Sequence, residues 1–462
     1  MPGSADPVAR SGRFDPRRPL DRETWASMPD GFSFVAVGDC IISRPLATSA
    51  AGDPGLARVI ELVRSADLRY GNLETTIVDL DTFDGSPYSW DADWTLASHP
   101  RVTPDLAGLG LQIVSRANNH ALDWGIEGMV ETSRRLDEAG VVHAGVGRHA
   151  GLARAPRYLE LPQGRVGLVS FASTYRPTSE ALPYCGAAPG RPGVSALTVE
   201  TTHLVSRGLF TALEPEGAER ITRFGQHFAA AEKRGMCYEP DEDDLADILR
   251  SIRLAAQHSD FVIAALHAHQ AENEWETGAQ MLRPAAFVSD VARAAIDAGA
   301  CAFVTTGNHN VGGIELHQGR PIFTGLGNFV WSDVQEPLSA ELHLGANRRL
   351  LAEAFEHPGR ATDADLTAIV NATGGFANEF TFETVVPRAV FAPAAGGGIR
   401  LRELLVYPVT LRYGERLTRS GIPAPAQPEQ ARKILADVAS MSPGVDIDVV
   451  NGTWVHGRVR LI

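Results

Sequence analysis

Short apolar runs rich in β-branched residues alternate along the chain with longer amphipathic segments, and no other feature constrains the fold as strongly. The runs "FSFVAVGD", "RVGLVSFAS" and "DFVIAALHAH" predict buried strands, while "PGLARVIELVRSA" and "DVARAAIDAGA" predict helices. Strands and helices that alternate in this way are typical of an α/β fold. The 462 residues, of which 44% are hydrophobic, can bury a large core as one large domain or two unequal ones.

Three segments interrupt this alternation. Residues 1–31 are polar and rich in Pro and Arg, and they predict an N-terminal arm. Residues from about 174 to 240 predict an insertion or lid that contains a long helical stretch. Residues 377–462 predict a small β-rich C-terminal extension, either as an extra layer or as a subdomain. The main domain is therefore predicted to span residues 32–376, with the insertion inside it.

The composition argues against several classes of protein. A formal net charge of -14, without a clustered Lys/Arg surface, argues against nucleic acid as a partner. The N-terminal residues contain no apolar signal-peptide core, and no segment approaches the roughly 18 apolar residues of a membrane span. We therefore expect a cytoplasmic protein without a membrane segment. The four cysteines show no CxxC spacing, so neither a disulfide framework nor a thiolate zinc site is expected.

Polar side chains stand at or near the C-terminal ends of five successive apolar runs. They are Asp39, Glu74, Asn119 with His120, His267 with His269, and His309. Because ligands of open α/β sheets bind beyond the carboxyl ends of the strands, we expect these side chains to lie together. Carboxylate, amide and imidazole ligands suit Zn, Mn, Fe or Mg, and a carboxylate can bridge two cations about 3.5 to 4 Å apart. The pattern predicts a site for one or two divalent metal ions.

Each of these residues, taken singly, has an ordinary structural explanation. Asp39 can be a turn or N-cap aspartate, Glu74 can pair with a surface arginine, and Asn119 can be a loop asparagine. A lone histidine is more often hydrogen-bonded in a core or at a surface than bound to metal. The repetition at five strand ends is what favours the metal site.

The motifs "VGDCIISR", "GNLET", "ANNHALDWG", "GVVHAGVG", "LHAH" and "GNHNVGGIELHQGRPIFTGLGNF" follow one another in this order. This ordered set resembles the CapA family of poly-γ-glutamate capsule synthesis proteins, which is similar to a branch of the calcineurin-like metallophosphatases. The resemblance covers roughly residues 33–332. It implies a four-layer α/β/β/α sandwich of two mixed sheets flanked by helices, with the site at the strand ends.

The resemblance also implies roles for individual residues. The implied metal ligands are Asp39, Glu74 as the bridging carboxylate, Asn119, His267 and His309. His120 matches the histidine that acts as general acid, and Asp123 can orient its ring. Arg44 is a candidate for binding an anionic group of the substrate.

The chain departs from the family pattern at two ligand positions. Thr306 replaces the first histidine of the usual "GHxPH" motif, and Ile41 stands where the wider superfamily has the histidine of "DxH". His269, two residues after His267 and hence on the same face of a strand, can substitute as a ligand.

Three functions follow as alternatives. The first is a metal-dependent hydrolase that cleaves a phosphoester, or a γ-glutamyl or peptide-like amide, in a small-molecule or peptide substrate. The second is a metal-dependent peptide epimerase, in which Asp39 and His309 exchange a proton from opposite faces of a carbon atom. The third is a non-catalytic binding protein.

Overall fold

The computed structural model describes residues 26–461 except 89–94, 214–217, 273–280, 333–352, 354, 363, 366–377 and 396–397. Most of the predicted N-terminal arm, residues 1–25, lies outside the described residues. The last part of that arm contacts the body of the protein, because Met28 is buried and the Ser27 N–H donates to the Asp260 carbonyl oxygen. No helix among the described residues has both the length and the apolar character needed to cross a membrane.

Eight α-helices are described. They are α1 (Pro54–Arg64), α2 (Val102–Leu109), α3 (Gly125–Glu138), α4 (Ala150–Arg154), α5 (Arg207–Leu213), α6 (Glu242–His258), α7 (Ala286–Asp297) and α8 (Pro428–Ser440). Short 3₁₀ turns lie at Ala47–Gly52, Pro177–Ser179, Pro358–Arg360 and Glu379–Phe382. Helix α1 begins where its sequence predicts, because the Asp53 side chain accepts from the Leu56 N–H as N-cap and Pro54 takes the first helical position.

The described residues also form 24 strands. They are β1 (Ser33–Ile41), β2 (Leu68–Leu73), β3 (Thr76–Ile77), β4 (Ala97–Ser98), β5 (Ile113–Ser115), β6 (Val142–Ala144), β7 (Val146–Gly147), β8 (Arg157–Leu161), β9 (Gly164–Ala172), β10 (Gly193–Val194), β11 (Val199–Val205), β12 (Arg220–Arg223), β13 (Gln226–Ala230), β14 (Gly235–Pro240), β15 (Phe261–Ala268), β16 (Ala302–Gly307), β17 (Ile314–His317), β18 (Arg320–Phe323), β19 (Asn328–Trp331), β20 (Glu383–Pro393), β21 (Ile399–Thr410), β22 (Ala424–Pro425), β23 (Ile447–Val450) and β24 (His456–Val459).

Two large mixed sheets organise the molecule. The ten-stranded sheet has the order β23-β24-β21-β20-β1-β2-β5-β6, with β19 paired to β1 and β22 paired to β21. The six-stranded sheet has the order β17-β18-β16-β15-β9-β8. Strands β1, β2 and β5 run parallel to one another, as do β9, β15 and β16. The carboxyl ends of each parallel set therefore lie at one edge of their sheet.

The two sheets pack face to face between two layers of helices. Phe34 of β1 and Phe261 of β15 meet between the sheets, with ring centroids 5.8 Å apart. Helices α1 and α2 bury Val59 and Leu106 in a second core on the outer face of the ten-stranded sheet. Helix α6 buries Ile252 in a third core against the six-stranded sheet. These four layers, α/β/β/α, confirm the predicted fold class.

Strand β1 carries a continuous apolar run, residues 34–37, because both of its faces are covered. Phe34 and Ala36 belong to the core between the sheets, whereas Val35 and Val37 belong to the outer core. Alternate side chains of a strand point to opposite faces, so a central strand buried on both sides needs a continuous apolar run. Asp39 breaks that run near the carboxyl end of the strand.

The C-terminal residues that the structure describes add β20 to β24 to the ten-stranded sheet, and they do not form the extra layer that the sequence suggested as one alternative. Strand β20 pairs antiparallel with β1, with Ser33 opposite Val390. Strand β21 continues the sheet beyond it, and α8 buries Ile434 and Leu435 in the core that also lies between the sheets.

In the segment predicted as an insertion, the described residues are mainly β-structure, so the long helical stretch predicted there is wrong. Strands β11 to β14 form a separate four-stranded sheet in the order β12-β13-β11-β14, and α5 covers only seven residues. Phe224 and Gly225 both have positive φ, at 53° and 74°, and form the two-residue turn between β12 and β13. The strand pairing across this turn outweighs the helical pattern of the local sequence.

A partly buried ion pair attaches α8 to the sheet, and its loss should destabilise the protein. Lys433 Nζ lies 2.6 Å from Glu383 Oε2 at the start of β20, where the Glu383 side chain is almost fully buried. Lys433→Met leaves that carboxylate without its cation. We expect a loss of about 2 kcal/mol in the free energy of unfolding, less than for a fully buried pair because Lys433 is partly exposed.

Urea denaturation measures this effect. Arg432→Met changes the adjacent, exposed position of the same helix and serves as the control, with an expected change within about 0.5 kcal/mol. Equal unfolding midpoints for the two variants would contradict the structural role given to Lys433.

Candidate metal centre

The predicted ligands come from strand ends of both large sheets. Asp39 lies in β1, Glu74 follows β2 and Asn119 follows β5 in the ten-stranded sheet. His267 lies in β15 and His309 follows β16 in the six-stranded sheet. The candidate site therefore lies where the carboxyl ends of the two parallel strand sets face each other.

Two groups of side chains could each hold a cation, and they share one carboxylate. Ligand atoms of Glu74, His267 and His269 lie within 4.8 Å of one another, as do those of Asp39, Glu74 and His309. The sixth predicted ligand is adjacent, because Asn119 Oδ1 lies 2.9 Å from His267 Nε2. The structure thus brings together all the residues predicted as metal ligands.

Asp39 is held as an ionised carboxylate. Its Oδ1 accepts from Asn72 Nδ2 at 2.7 Å, and its Oδ2 accepts from the Gly307 N–H at 3.0 Å. Burial by itself raises the pKa of Asp39, but His309, whose Nδ1 lies 3.6 Å from Oδ2, and His267 outweigh burial and hold that pKa well below its usual range. A charged oxygen donor is therefore available at the centre of the site.

Glu74 is the clearest sign that the site suits a cation. Its side chain is fully buried, and neither carboxylate oxygen has a hydrogen-bond partner among the described residues. His267 Nε2 and His120 Nε2 approach Oε1 no closer than 3.7 and 3.9 Å. Burial and the charge of Asp39 raise the pKa of Glu74 well above its usual value. A buried carboxylate without partners costs several kcal/mol, and a divalent cation would compensate it.

His267 in β15 and His269 just after it are in the neutral protonation state that binds metal ions. Burial lowers the pKa of His267 to about 3 and moves the pKa of His269 well below its usual value. Both rings are therefore neutral near pH 7, as metal coordination by imidazole requires. His269 Nε2 has no hydrogen-bond partner within the described part of the chain, so this nitrogen remains available.

His120 and Asp123 form a pair beside the cluster. His120 Nδ1 lies 2.7 Å from Asp123 Oδ2, and because a carboxylate only accepts, Nδ1 carries the proton. The Leu96 N–H also donates to Oδ2, at 2.7 Å, and fixes the carboxylate. This arrangement turns His120 Nε2 toward Glu74 and gives the ring a defined orientation.

Arg44 is not part of this cluster. Its Nη2 donates to the Thr418 carbonyl oxygen at 2.6 Å, in a loop close to the C-terminal strands. Its role in substrate binding stays a prediction.

Thr306 and Ile41, which stand where the family resemblance implies histidine ligands, lie in different surroundings. Thr306 Oγ1 lies 3.3 Å from His267 Nδ1, so a hydroxyl contacts the ring from the position of the absent ligand. Ile41 packs in the outer core and offers no nitrogen or oxygen atom that could bind a metal ion.

His309 adopts a left-handed backbone with a φ of 56°, and its Nδ1 lies 2.9 Å from Asn328 Oδ1. Non-glycine residues held in this conformation concentrate at functional sites.

Asn72 joins the strand ends and was missed in the sequence. Its Nδ2 donates to Asp39 and lies 3.3 Å from His267 Nδ1, while its Oδ1 accepts from Ser115 Oγ at 2.8 Å and from Asn118 Nδ2 at 3.3 Å. The only signal was its place in "GNLET", two residues before Glu74 and thus on the same face of an extended chain.

Comparison with known proteins adds a family to this geometry. A family model described as "Bacterial capsule synthesis protein PGA_cap" matches residues 33–333. The "Uncharacterized protein y4sH" of Sinorhizobium fredii is 38% identical, with the match covering 93% of each chain. The "PGA biosynthesis protein CapA" of Bacillus subtilis is 22% identical, with the match covering 69% of each chain. A crystal structure of a hypothetical protein from Thermus thermophilus aligns with a TM-score of 0.35 and 13% identity, covering 81% of this chain and 98% of that one.

Proposed function

The chain belongs to the bacterial capsule synthesis protein PGA_cap family, as its resemblance to CapA predicted, and on that premise we propose that it is a metal-dependent hydrolase. The proposed reaction is cleavage of a phosphoester, or of a γ-glutamyl or peptide-like amide, in a small-molecule or peptide substrate. The observation that carries the proposal is the buried carboxylate of Glu74, which has no hydrogen-bond partner in the described part of the chain and is common to both candidate ligand groups.

The proposed ligands divide between two positions. Asp39, Glu74 and His309 would hold one cation, and Glu74, His267 and His269 would hold a second, with the Asn119 amide oxygen beside His267. Proteins with a metallophosphatase-like fold generally bind divalent cations, and these oxygen and nitrogen donors suit Mn, Zn, Fe or Mg. When bound, a cation supplies a nucleophilic water at neutral pH and polarises the bond to be cleaved.

The proposed role of His120 is that of general acid. Asp123 holds the ring through Nδ1, so in the doubly protonated ring the second proton lies on Nε2. That nitrogen faces Glu74 across 3.9 Å, which places it beside the proposed ligands. His120 can therefore transfer a proton to a leaving group, and Asp123 compensates the positive charge of the ring before the transfer.

The arrangement of Asp39 and His309 does not favour the epimerase alternative. Two groups that act on opposite faces of one carbon atom must each approach it to about 3 Å, which separates them by roughly 6 Å. Asp39 Oδ2 and His309 Nδ1 lie only 3.6 Å apart, so a carbon atom does not fit between these two atoms. The metal-reloading experiment below distinguishes a non-catalytic binding protein from a hydrolase.

Metal reloading tests the proposal directly. We expect protein stripped with a chelator to regain one or two equivalents of Mn²⁺ or Zn²⁺, measured by elemental analysis after gel filtration. Reloading should also restore hydrolysis of 4-nitrophenyl phosphate or γ-glutamyl-4-nitroanilide. Metal uptake without hydrolysis of either compound would support a binding protein. Absence of metal uptake would refute the metal centre itself.

A further inference from the structure

The carboxylate that orients His120 has one oxygen without a hydrogen bond. Asp123 is fully buried, and its Oδ2 accepts hydrogen bonds from both His120 Nδ1 and the Leu96 N–H. Its Oδ1 accepts no hydrogen bond from the described residues. The carboxylate charge therefore needs compensation from a second direction, because burial of an ionised group without a partner is costly.

Arg176, in a loop of the six-stranded sheet, compensates the charge of the Asp123 carboxylate. Its Nη2 lies 3.4 Å from Asp123 Oδ1, and its side chain is 17% exposed. Arg176 lies in the loop that follows β9 of the six-stranded sheet, whereas Asp123 follows β5 of the ten-stranded sheet. The ion pair therefore joins loops from the two sheets beside the candidate metal centre.

Tyr88 supports Arg176 and Asp123 together. Its ring lies under the Arg176 guanidinium, with 5.7 Å between Cζ and the ring centroid. Its backbone N–H donates to the Asp123 carbonyl oxygen at 2.7 Å. One residue thus fixes both members of the ion pair relative to each other.

We propose that Arg176 is a positioning residue for His120, acting through Asp123. The guanidinium holds the Asp123 carboxylate in a fixed orientation, and the carboxylate then holds the His120 ring with Nε2 toward Glu74. This inference rests on the proposed function of His120 as the general acid, and the role of Arg176 runs entirely through its ion pair with Asp123.

The test compares Arg176→Met with Arg176→Lys in metal-loaded protein. We expect Arg176→Met to lower kcat by about 10- to 100-fold, the effect typical of losing a partner that orients a site residue, with KM and metal content little changed. Arg176→Lys keeps the charge and should recover part of the loss. Added guanidinium chloride at millimolar concentration should partly restore the activity of Arg176→Ala.

A second measurement does not depend on turnover. In metal-free protein labelled with ¹⁵N-histidine, the proton on His120 Nδ1 should give a strongly downfield NMR signal, assigned by its loss in His120→Gln. We expect this signal to move upfield or disappear in Arg176→Met and to persist in Arg176→Lys. If the wild-type protein hydrolyses none of the probe compounds, the hydrolase proposal fails, while this signal still decides the role of Arg176.

Arg154→Met is the matched control. Arg154 is also 17% exposed and pairs with carboxylates, Asp244 and Asp247, that belong to helix α6 and not to the His120 pair. We expect this variant to lose stability to a similar degree and to keep both kcat and the His120 signal. An unchanged His120 signal in Arg176→Met, or equal effects of Arg176→Met and Arg154→Met on kcat, would overturn the proposal.

Discussion

Replacement of His120 by Gln should lower kcat for 4-nitrophenyl phosphate by about 10²- to 10⁴-fold, the range that a positioned general acid contributes. The ring lies beside the ligand cluster, is oriented by a carboxylate at 2.7 Å and belongs to neither candidate ligand group. The loss should therefore appear in turnover and not in metal content. Initial rates and elemental analysis on the same preparation measure both quantities.

Substrates with different leaving groups test whether the lower kcat of His120→Gln comes from the loss of an acid. A substrate whose leaving group is a good anion needs little protonation, so the deficit of His120→Gln should shrink for 2,4-dinitrophenyl phosphate relative to phenyl phosphate. His317→Gln, which changes a partly exposed histidine paired with Asp297, should leave both rates unchanged. Loss of metal together with activity in His120→Gln would show that His120 is a ligand and would contradict its assignment as the acid.

Glu74→Gln should have the largest effect on metal binding. The carboxylate is common to both candidate ligand groups, so the substitution weakens both positions at once, and we expect affinity for Mn²⁺ to fall by more than about 100-fold. Isothermal titration calorimetry of stripped protein measures the change. Hydrolysis should fall in parallel, because the proposed reaction depends on the cation.

The same substitution should act in the opposite direction on the stripped protein. Burial and the charge of Asp39 raise the pKa of Glu74 well above its usual value, so the metal-free protein must either keep this carboxylate ionised without a partner or protonate it at a cost. A neutral amide of the same size removes both costs. We expect the metal-free form of Glu74→Gln to be about 1 to 3 kcal/mol more stable than metal-free wild type. The wild type should in turn be stabilised by Mn²⁺ and the variant should not.

Thermal unfolding with and without Mn²⁺ separates these effects. Glu315→Gln provides a comparison, because Glu315 is a carboxylate with protein partners, Ser289 and Arg293, and its neutralisation is therefore expected to destabilise the protein. A metal-free Glu74→Gln that is less stable than wild type would show that the carboxylate is compensated by protein groups and would remove the main support for the metal centre.

The layers of the fold were predictable because they depend on local pattern. Strands buried on both faces need continuous apolar runs, and "FSFVAVGD" and "DFVIAALHAH" form β1 and β15 accordingly. The juxtaposition of the ligand residues followed from the same pattern, because the carboxyl ends of parallel strands share one edge of a sheet.

Features that depend on contacts between distant residues were not predictable in this way. The insertion has helical character in its sequence, yet pairing between strands decides its structure. Arg44, near the site in sequence, binds Thr418 in the C-terminal part of the chain, while Arg176, over fifty residues from Asp123, lies beside it. The contacts of Asn72 with neighbouring strand ends depend equally on the assembled sheets.

The pairing of β20 with β1 bears on how the protein is made. Ser33 lies opposite Val390, so the start of β1 pairs with β2 on one side but has no partner strand on the other side until most of the chain has been synthesised. During that interval the edge of β1 is open and apolar, which is the condition under which nascent chains aggregate or recruit chaperones. Translation halted at residue 376, before β20, would yield a fragment with every proposed ligand and all strands of the six-stranded sheet, but with a ten-stranded sheet that lacks β20 to β24.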